Sequence, residues 1–461
     1  MTLHSPSQDP VQEWGEEEED GAVFGITLRR EPVPPSSDAA ELSTAFGFVQ
    51  YHTVKVRRLK AATLERLVTH LLDPKHQEPD FIRVFLSTHR AFTSTSTLIE
   101  LLTLPPVIRL WLEEYSEDFH EPPQYESLRL LCMHLRHRLC FRRLAQTAAT
   151  LLKSESASQH SSESLQQEPR DQEDGGETST KEEDKHSFMD FPVREIAEQL
   201  TRLDSDLFVR VVPFHCLGCV WSQRDKKENR NLAPTVRATI SQFNAVTNRV
   251  ITSLLCPSSP AQRARIIERW IAVAQVRCRQ LKNFSSLRAI LSALQSNAVY
   301  RLKKTWAAVS RESMATFDHL CETFPDENCV LTSREILVEV NTCGFEISIF
   351  SGGVVPYLGT YLTVLTMLDT ALTDTVEGGL INFEKRRREF EILSQIRQLQ
   401  TSCSRYSLPV NPHITAWLQA HTLLTDQESY ELSRDLEPPV DPCPTSPNSW
   451  SSRLLTKKLA L

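Results

Sequence analysis

The sequence predicts an all-α protein: an N-terminal helical domain, then a larger helical domain from which a helical hairpin protrudes. Three observations lead there. Apolar residues recur at helical spacing through 48–153 and again through 187–440, while alternating strand patterns are almost absent. Glycine is sparse, 13 residues against 26 prolines, which argues against Gly-rich phosphate loops and against a turn-dense β fold. Residues 355–400 read as two helices joined by a short Gly-containing turn, the second opening on a dense basic run.

In chain order, residues 1–47 combine the acidic run Glu16–Asp20 with Pro32-Val33-Pro34-Pro35 and predict a disordered tail, because low hydrophobicity with like charge cannot offset the entropy of ordering. Residues 48–153 form the first folded block. Leu64, Leu67, Val68 and Leu71 lie on one helical stripe, with Thr63 at the N-cap position and Arg66 where a capping box wants Glu or Gln. Phe81–Phe92 and Thr97–Leu102 predict two further helices. A longer one spans Leu128–Leu152, with Leu128, Leu131, Leu135 and Leu139 aligned. Residues 154–186 are polar, acidic and aperiodic, which predicts a Ser-rich linker. From 187 to 440 the helical period returns, over Glu195–Leu203, Val236–Leu255, Pro260–Leu281, Phe284–Leu294, Arg311–Phe324 and the hairpin. Residues 441–461 fall back to loop composition.

Composition excludes several classes. With 461 residues, 40% hydrophobic and 24% charged, the chain fits two or three ordinary globular domains. A net charge of -8 lacks the basic footprint of a nucleic-acid binder. No apolar run is long enough for a membrane span, and MTLHSPSQDP has neither the basic start nor the apolar centre of a secretory signal. A cytoplasmic protein is expected, its 11 scattered cysteines reduced. The single C-x-x-C, Cys216–Cys219 beside His215, finds no second ligand pair, so no metal site is expected. No G-x-S-x-G, H-E-x-x-H, P-loop or G-x-G-x-x-G motif occurs, so no covalent catalytic residue and no cofactor is expected.

In the hairpin, Pro356 fits the first turn of a helix. Leu358, Tyr361, Leu362, Leu365, Leu368 and Leu372 then make an apolar face, opposite Gly359, Thr363, Thr366, Met367 and Thr370. The second helix, near Asn382–Gln400, begins Phe383-Glu384-Lys385-Arg386-Arg387-Arg388 and buries Phe390, Leu393, Ile396 and Gln400. Cations at a helix N-terminus oppose the macrodipole by roughly a few tenths of a kcal/mol each. Such a run reads as a partner surface or as a solvated charge run.

This hairpin resembles the catalytic hairpin of the Ras-GEF domain, the exchange module acting on Ras-superfamily GTPases. FPVREIAEQLTRLDSDLF (191–208), FNAVTNRV (243–250) and LSALQSNAVYRLKKTW (291–306) are similar to the same domain. ATLERLVTHLL (62–72) and FLSTHRAFTSTSTLIELL (85–102) resemble the family's N-terminal Ras exchanger motif. PYLGTYLTVLTMLDTA, LINFEKRRREFEILSQI and ESYELSRDLEPP resemble most the Ral-directed branch, the Ral guanine nucleotide dissociation stimulators. The resemblance implies nucleotide exchange on a small GTPase, Ral first and Ras or Rap as alternatives, without covalent chemistry. The hairpin would enter near the switch segments and disturb the magnesium and phosphate site. It implies contacts with the GTPase from Thr366 and Thr370, from the basic position Arg388, and from Gln295 and Ser241 on the body; the outward face adds Thr363 and Met367.

Several positions depart from the family pattern. Ras-directed members carry a large apolar residue and an acid where this chain has Thr366 and Thr370. Val364 stands where Asp or Asn is usual, the segment Asn341–Gly353 is unlike its relatives, and the tail is too short for a Ras-association domain. Val364 and Asn341–Gly353 motivate an alternative, an adaptor that keeps the fold and binds a GTPase or another partner without opening it. Asp369, about 100° round the helix from Thr370, reads as a structural carboxylate.

Overall fold

A two-residue loop with glycine second reverses a strand with the right twist, and Asp20-Gly21 does this inside the segment expected to be a disordered tail. In the computed structural model, which describes residues 13–32, 51–72, 78, 80–120, 125–136, 142–163, 188–229, 231–278, 280–323, 353–420 and 423–438, β1 (Glu13–Glu19) and β2 (Ala22–Pro32) pair antiparallel across that loop. β3 (Tyr51–Ala62) pairs with β2 in turn. The acidic run tolerates a strand because β3 supplies counter-charge: Lys60 lies 2.6 Å from Glu16, Arg57 lies 2.7 Å from Glu19, and Lys55 pairs with Glu17. Each such exposed pair is worth about 0–1 kcal/mol, so the strand pairing itself carries the hairpin. The protein is therefore not all-α: an antiparallel sheet of order β1-β2-β3-β5-β4 accompanies the helices. Strands β4 (Thr375–Val376) and β5 (Leu380–Asn382) come from the turn of the helical hairpin.

The helices follow in chain order. The first block holds α1 (Leu64–Leu72), α2 (Phe81–Thr88), α3 (Thr95–Leu101), α4 (Pro105–Glu114), α5 (Glu126–Arg136) and α6 (Arg142–Glu163). Thr63 accepts from the Arg66 amide at 3.3 Å, so it caps α1 without the box. The long helix expected over Leu128–Leu152 is two helices, and α6 runs ten residues into the segment expected to be linker. Leu139 lies outside the described residues.

The second block holds α7 (Val193–Val209), α8 (Gly218–Trp221), α9 (Pro234–Leu255), α10 (Pro260–Ala272), α11 (Phe284–Gln295), α12 (Asn297–Tyr300), α13 (Lys303–Ala307) and α14 (Arg311–Thr323). The hairpin helices are α15 (Leu358–Ala371) and α16 (Phe383–Cys403), and α17 (Pro412–Gln419) and α18 (Asp426–Leu436) close the chain's described part. Pro356 precedes α15 by two residues rather than opening it. The segment Asn341–Gly353 lies outside the described residues except for Gly353, and so do residues 439–461. No described helix is long and apolar enough to cross a membrane.

Two compact units result. One joins the described residues up to Glu163 with Met367–Glu391; the other joins Phe188–Thr366 with the residues from Ile392 onward. The first has a core of Leu67, Phe85, Leu98, Trp111 and Leu131, to which the hairpin contributes Phe383, its ring 4.6 Å from that of Phe81. In the second, Ile196, Val250, Ile267, Trp270 and Ile290 make the larger core. A separate cluster there packs Phe208, Leu217 and Val236 against Leu358, Tyr361, Leu362, Leu365, Leu393 and Ile396. The α15 stripe is thus buried over its first two turns, each large side chain contributing about 1.5–3 kcal/mol. A buried ion pair closes this unit: Arg263, fully enclosed, reaches Glu437, whose carboxylate also accepts from the Lys304 and Thr305 amides at 2.9 Å.

Candidate functional site

The site is built on α15, so its placement begins at the root of that helix. A Cβ on Gly353 would collide with the Ser402 carbonyl, so only glycine lets the chain enter here. The Val355 amide donates to the Lys282 carbonyl at 3.0 Å, and the Phe284 amide donates to the Val355 carbonyl at 2.9 Å. Asn283, between them, caps α11 by accepting from the Ser286 amide, and its side-chain amide donates to Asp204 of α7 at 2.9 Å. Complete burial pushes the Asp204 carboxyl up to about 6, against the hydrogen bonds from Ser286 and Asn283.

Above this root, Thr363, Thr366, Met367 and Thr370 follow at helical spacing and all are exposed, Met367 at 60%. The Thr363 hydroxyl donates to the Gly359 carbonyl and the Thr366 hydroxyl to the Leu362 carbonyl, at 2.8 and 2.7 Å. Their hydrogens are engaged on their own helix, and what they offer outward is oxygen lone pairs and methyl groups. Ser241 is exposed on α9; two residues on, the Phe243 ring meets Tyr357 at 5.0 Å, next to the root of the hairpin. Gln295 is exposed at the far end of α11, roughly 17 Å along the axis from Phe284, with its amide 3.3 Å from the Cys321 sulfur. The sequence-expected residues are therefore all at the surface, but Gln295 is not a neighbour of the hairpin root.

The basic run overturns the expectation set for it. Three of its four cations are neither partner surface nor solvated face, because they are buried: Lys385 at 1%, Arg386 at 1% and Arg387 at 7% exposure. The Lys385 ammonium donates to Asp369 of α15 at 2.7 Å and to Asp374 of the turn at 2.8 Å. Arg386 pairs with Asp374, and with Glu389 at 3.0 Å. Arg387 pairs with Glu78 and donates to the Leu59 carbonyl. Burial lowers the Lys385 pKa but the two aspartates outweigh it, and the ammonium is held above its ordinary value. Burial likewise raises Asp374, yet Lys385 and Arg386 hold it below the usual carboxylate range.

Only Arg388 projects, with 58% of its side chain exposed and Glu384 and Glu391 at the loose distances of 3.8 and 4.0 Å. Asp369 is satisfied as expected, by Lys385. At the turn, Gly378 and Gly379 both take positive φ, 79° and 72°, and Asn382 caps α16 by accepting from the Lys385 amide at 3.1 Å. Sequence reading missed these ion pairs. A usable signal was present, since Asp369, Asp374 and three cations fall within one short hairpin.

The C-x-x-C offers no ligand set. Cys216 is buried, with its thiol pushed up to about 12 by burial, and His215 bonds the Thr235 hydroxyl at 3.0 Å. Among the described residues no group of three His, Cys, Asp or Glu side chains is placed to hold a metal ion.

Comparison with known proteins agrees with this architecture. The RasGEF domain matches residues 195–387, and the RasGEF N-terminal motif matches residues 58–104. Human Ral guanine nucleotide dissociation stimulator-like 1 is 40% identical over the whole chain and 67% of its own length. Mouse Ral guanine nucleotide dissociation stimulator-like 3 is 42% identical over 98% of the chain and 72% of its own length. Human Ral guanine nucleotide dissociation stimulator-like 2 is 36% identical over 95% of the chain and 60% of its own length. With a RasGEF domain, its N-terminal motif and identity of this extent along the whole chain, the protein belongs to the Ral guanine nucleotide dissociation stimulator family.

Proposed function

We propose that the chain is a guanine-nucleotide exchange factor that releases GDP from Ral, using the outward residues of α15 near the GTPase switches. The observation that carries this reading is the exposed row Thr363, Thr366, Met367 and Thr370 on a helix whose other face is packed. Family membership supports the substrate class, and the relatives' names support Ral over Ras or Rap. Arg388, Ser241 and Gln295 are the further contacts in this reading.

No bond is made or broken. A GTPase that holds nucleotide at picomolar strength has about 16 kcal/mol of binding free energy, so spontaneous release is slow. The exchanger prefers the empty GTPase. By reciprocity, the factor by which it weakens the nucleotide is the factor by which nucleotide weakens it. Entering GTP then displaces the exchanger, and the cellular excess of GTP sets the direction. The protein works in the cytoplasm in this reading, meeting membrane-bound GTPases through partners.

A second reading, the non-catalytic adaptor, is favoured by one observation: the outward row carries no acid, and two of its hydroxyl hydrogens are engaged on the helix. Release of a fluorescent nucleotide from Ral, Ras and Rap by the full chain separates the two. Release from Ral alone, lowered on the order of tenfold (about 1.4 kcal/mol) by Thr366→Glu or Arg388→Glu in folded protein, supports exchange. Binding without release supports the adaptor.

A further inference from the structure

We propose that Lys385 is a positioning residue for nucleotide exchange: its buried ammonium ties α15 to the turn and so fixes how Met367 and Thr370 are presented. The inference rests on the exchange reading above. It also stands on geometry that is independent of that reading.

Lys385 sits in the first turn of α16, yet its ammonium reaches two carboxylates on two other elements, at 2.7 Å on Asp369 and 2.8 Å on Asp374. Asp369 directly precedes Thr370 and lies two residues past Met367, so a bond to it acts on the turn of helix that displays both. The same lysine's backbone amide is held by Asn382, whose own amide donates to the Asp374 carbonyl at 2.9 Å and whose side chain donates to the Thr373 carbonyl. Backbone and side chain of Lys385 therefore converge on one turn. Arg386 braces the same Asp374 from the next position and reaches Glu389 along α16.

An ion pair with an enclosed cation and part-exposed carboxylates, as here with Asp369 and Asp374 at 30% and 58% side-chain exposure, is a poor device for stability alone. It is a good device for one arrangement, because charge and hydrogen-bond direction reject the others. The distal turn of α15 needs that: Leu368 and Leu372 are only half-buried, and Thr370 and Ala371 are exposed. The apolar stripe that fixes the root does not fix this end.

Three variants of the full chain test the idea: Lys385→Met, close in length but uncharged; Lys385→Arg, which keeps the charge; and Lys385→Met combined with Asp369→Asn. Nucleotide release from Ral is measured at least 15 °C below each melting transition, with amide hydrogen exchange of Met367–Leu372 measured in parallel. The expected result is a loss of at least tenfold in release for Lys385→Met, an equal loss in affinity for the empty GTPase, and faster exchange of those amides. Lys385→Arg restores release to within about threefold of the parent, and the double variant is no worse than Lys385→Met. A folded Lys385→Met that releases nucleotide within twofold of the parent overturns the proposal. A parent that releases nothing overturns the exchange reading instead. The clamp is then judged by the amides alone, unchanged protection of Met367–Leu372 in Lys385→Met sinking it and tenfold faster exchange upholding it.

Discussion

Replacing Arg387 by methionine removes a guanidinium from a nearly closed site, where the side chains of Arg387 and Glu78 are 8% and 14% exposed. The variant keeps the aliphatic bulk but leaves Glu78 without its cation and the Leu59 carbonyl without its donor. Breaking a buried pair from one side typically costs 3–5 kcal/mol. Here Glu78 retains the Leu59 amide at 2.7 Å and His70 at 3.7 Å, so the lower part of that range, about 3–4 kcal/mol, is expected. For a unit of this size each kcal/mol moves the midpoint by about 2–4 °C, so the first-block transition should fall by roughly 6–16 °C in calorimetry.

The pH dependence has a definite sign. Burial pushes the Glu78 carboxyl up, but His70, Arg387 and the Leu59 amide together hold it below its ordinary value of 4.5. A depressed carboxyl contributes stability that is present above the unfolded pKa and lost as pH falls through the folded one. The gap between parent and Arg387→Met should therefore be full above about pH 5 and close on acidification. A shift under about 2 °C, or a gap indifferent to pH, refutes the reasoning.

Two other sites have comparable consequences. Burial raises the Glu389 carboxyl to about 7 in spite of Arg386 and Lys385; because its folded pKa lies above the unfolded value, the parent loses stability as pH rises from about 5 through 7. Glu389→Gln should lack that loss, roughly 1–3 kcal/mol between pH 5 and 8 by urea titration, and identical slopes for parent and variant would rule it out. Glu437→Ala strands the fully buried Arg263 and removes the acceptor of the Lys304 and Thr305 amides, so the second unit should lose about 3–5 kcal/mol, measured as a lowered denaturant midpoint at unchanged slope.

What the sequence disclosed follows the range of the interactions involved. Stripes such as Leu64, Leu67, Val68 and Leu71, or Leu358, Tyr361, Leu362 and Leu365, repeat within one helix, so a local window reads them and the structure buries them. The sheet was illegible for the opposite reason. β5 is three residues long and pairs with a strand more than 300 positions earlier, Ala61 opposite Asn382. The acidic β1 reads as a tail until the cations of β3 are set across from it. Asp20-Gly21 is a local sign of that hairpin, but it sits beside glutamates that read as a tail. At the site, the outward row was legible from period alone, whereas Ser241, Gln295 and Arg388 came only from resemblance. In the basic run only Arg387 lay beyond a local window, its partner Glu78 being 309 residues away; Lys385 and Arg386 pair with Asp369 and Asp374 inside the hairpin, a signal that was present but not read.

The hairpin uses two kinds of chemistry along one pair of helices, and the order is physically required. At the root, α15 can bury leucines because the second unit supplies Phe208, Leu217 and Val236 to cover them. Farther out, the exposed row leaves too little apolar surface for packing to fix the helix. Burial energy scales with area and carries no direction, so a half-buried Leu368 or Leu372 resists rotation weakly. Ion pairs reverse this balance. They add little net stability, but Lys385 between two aspartates and Arg387 on Glu78 each hold a defined geometry with few atoms. A cationic run at a helix start, unfavourable against the macrodipole, becomes tolerable because every buried member has a carboxylate in reach. The run that reads in sequence as an exposed interface is, for three of its four cations, an internal brace of the hairpin.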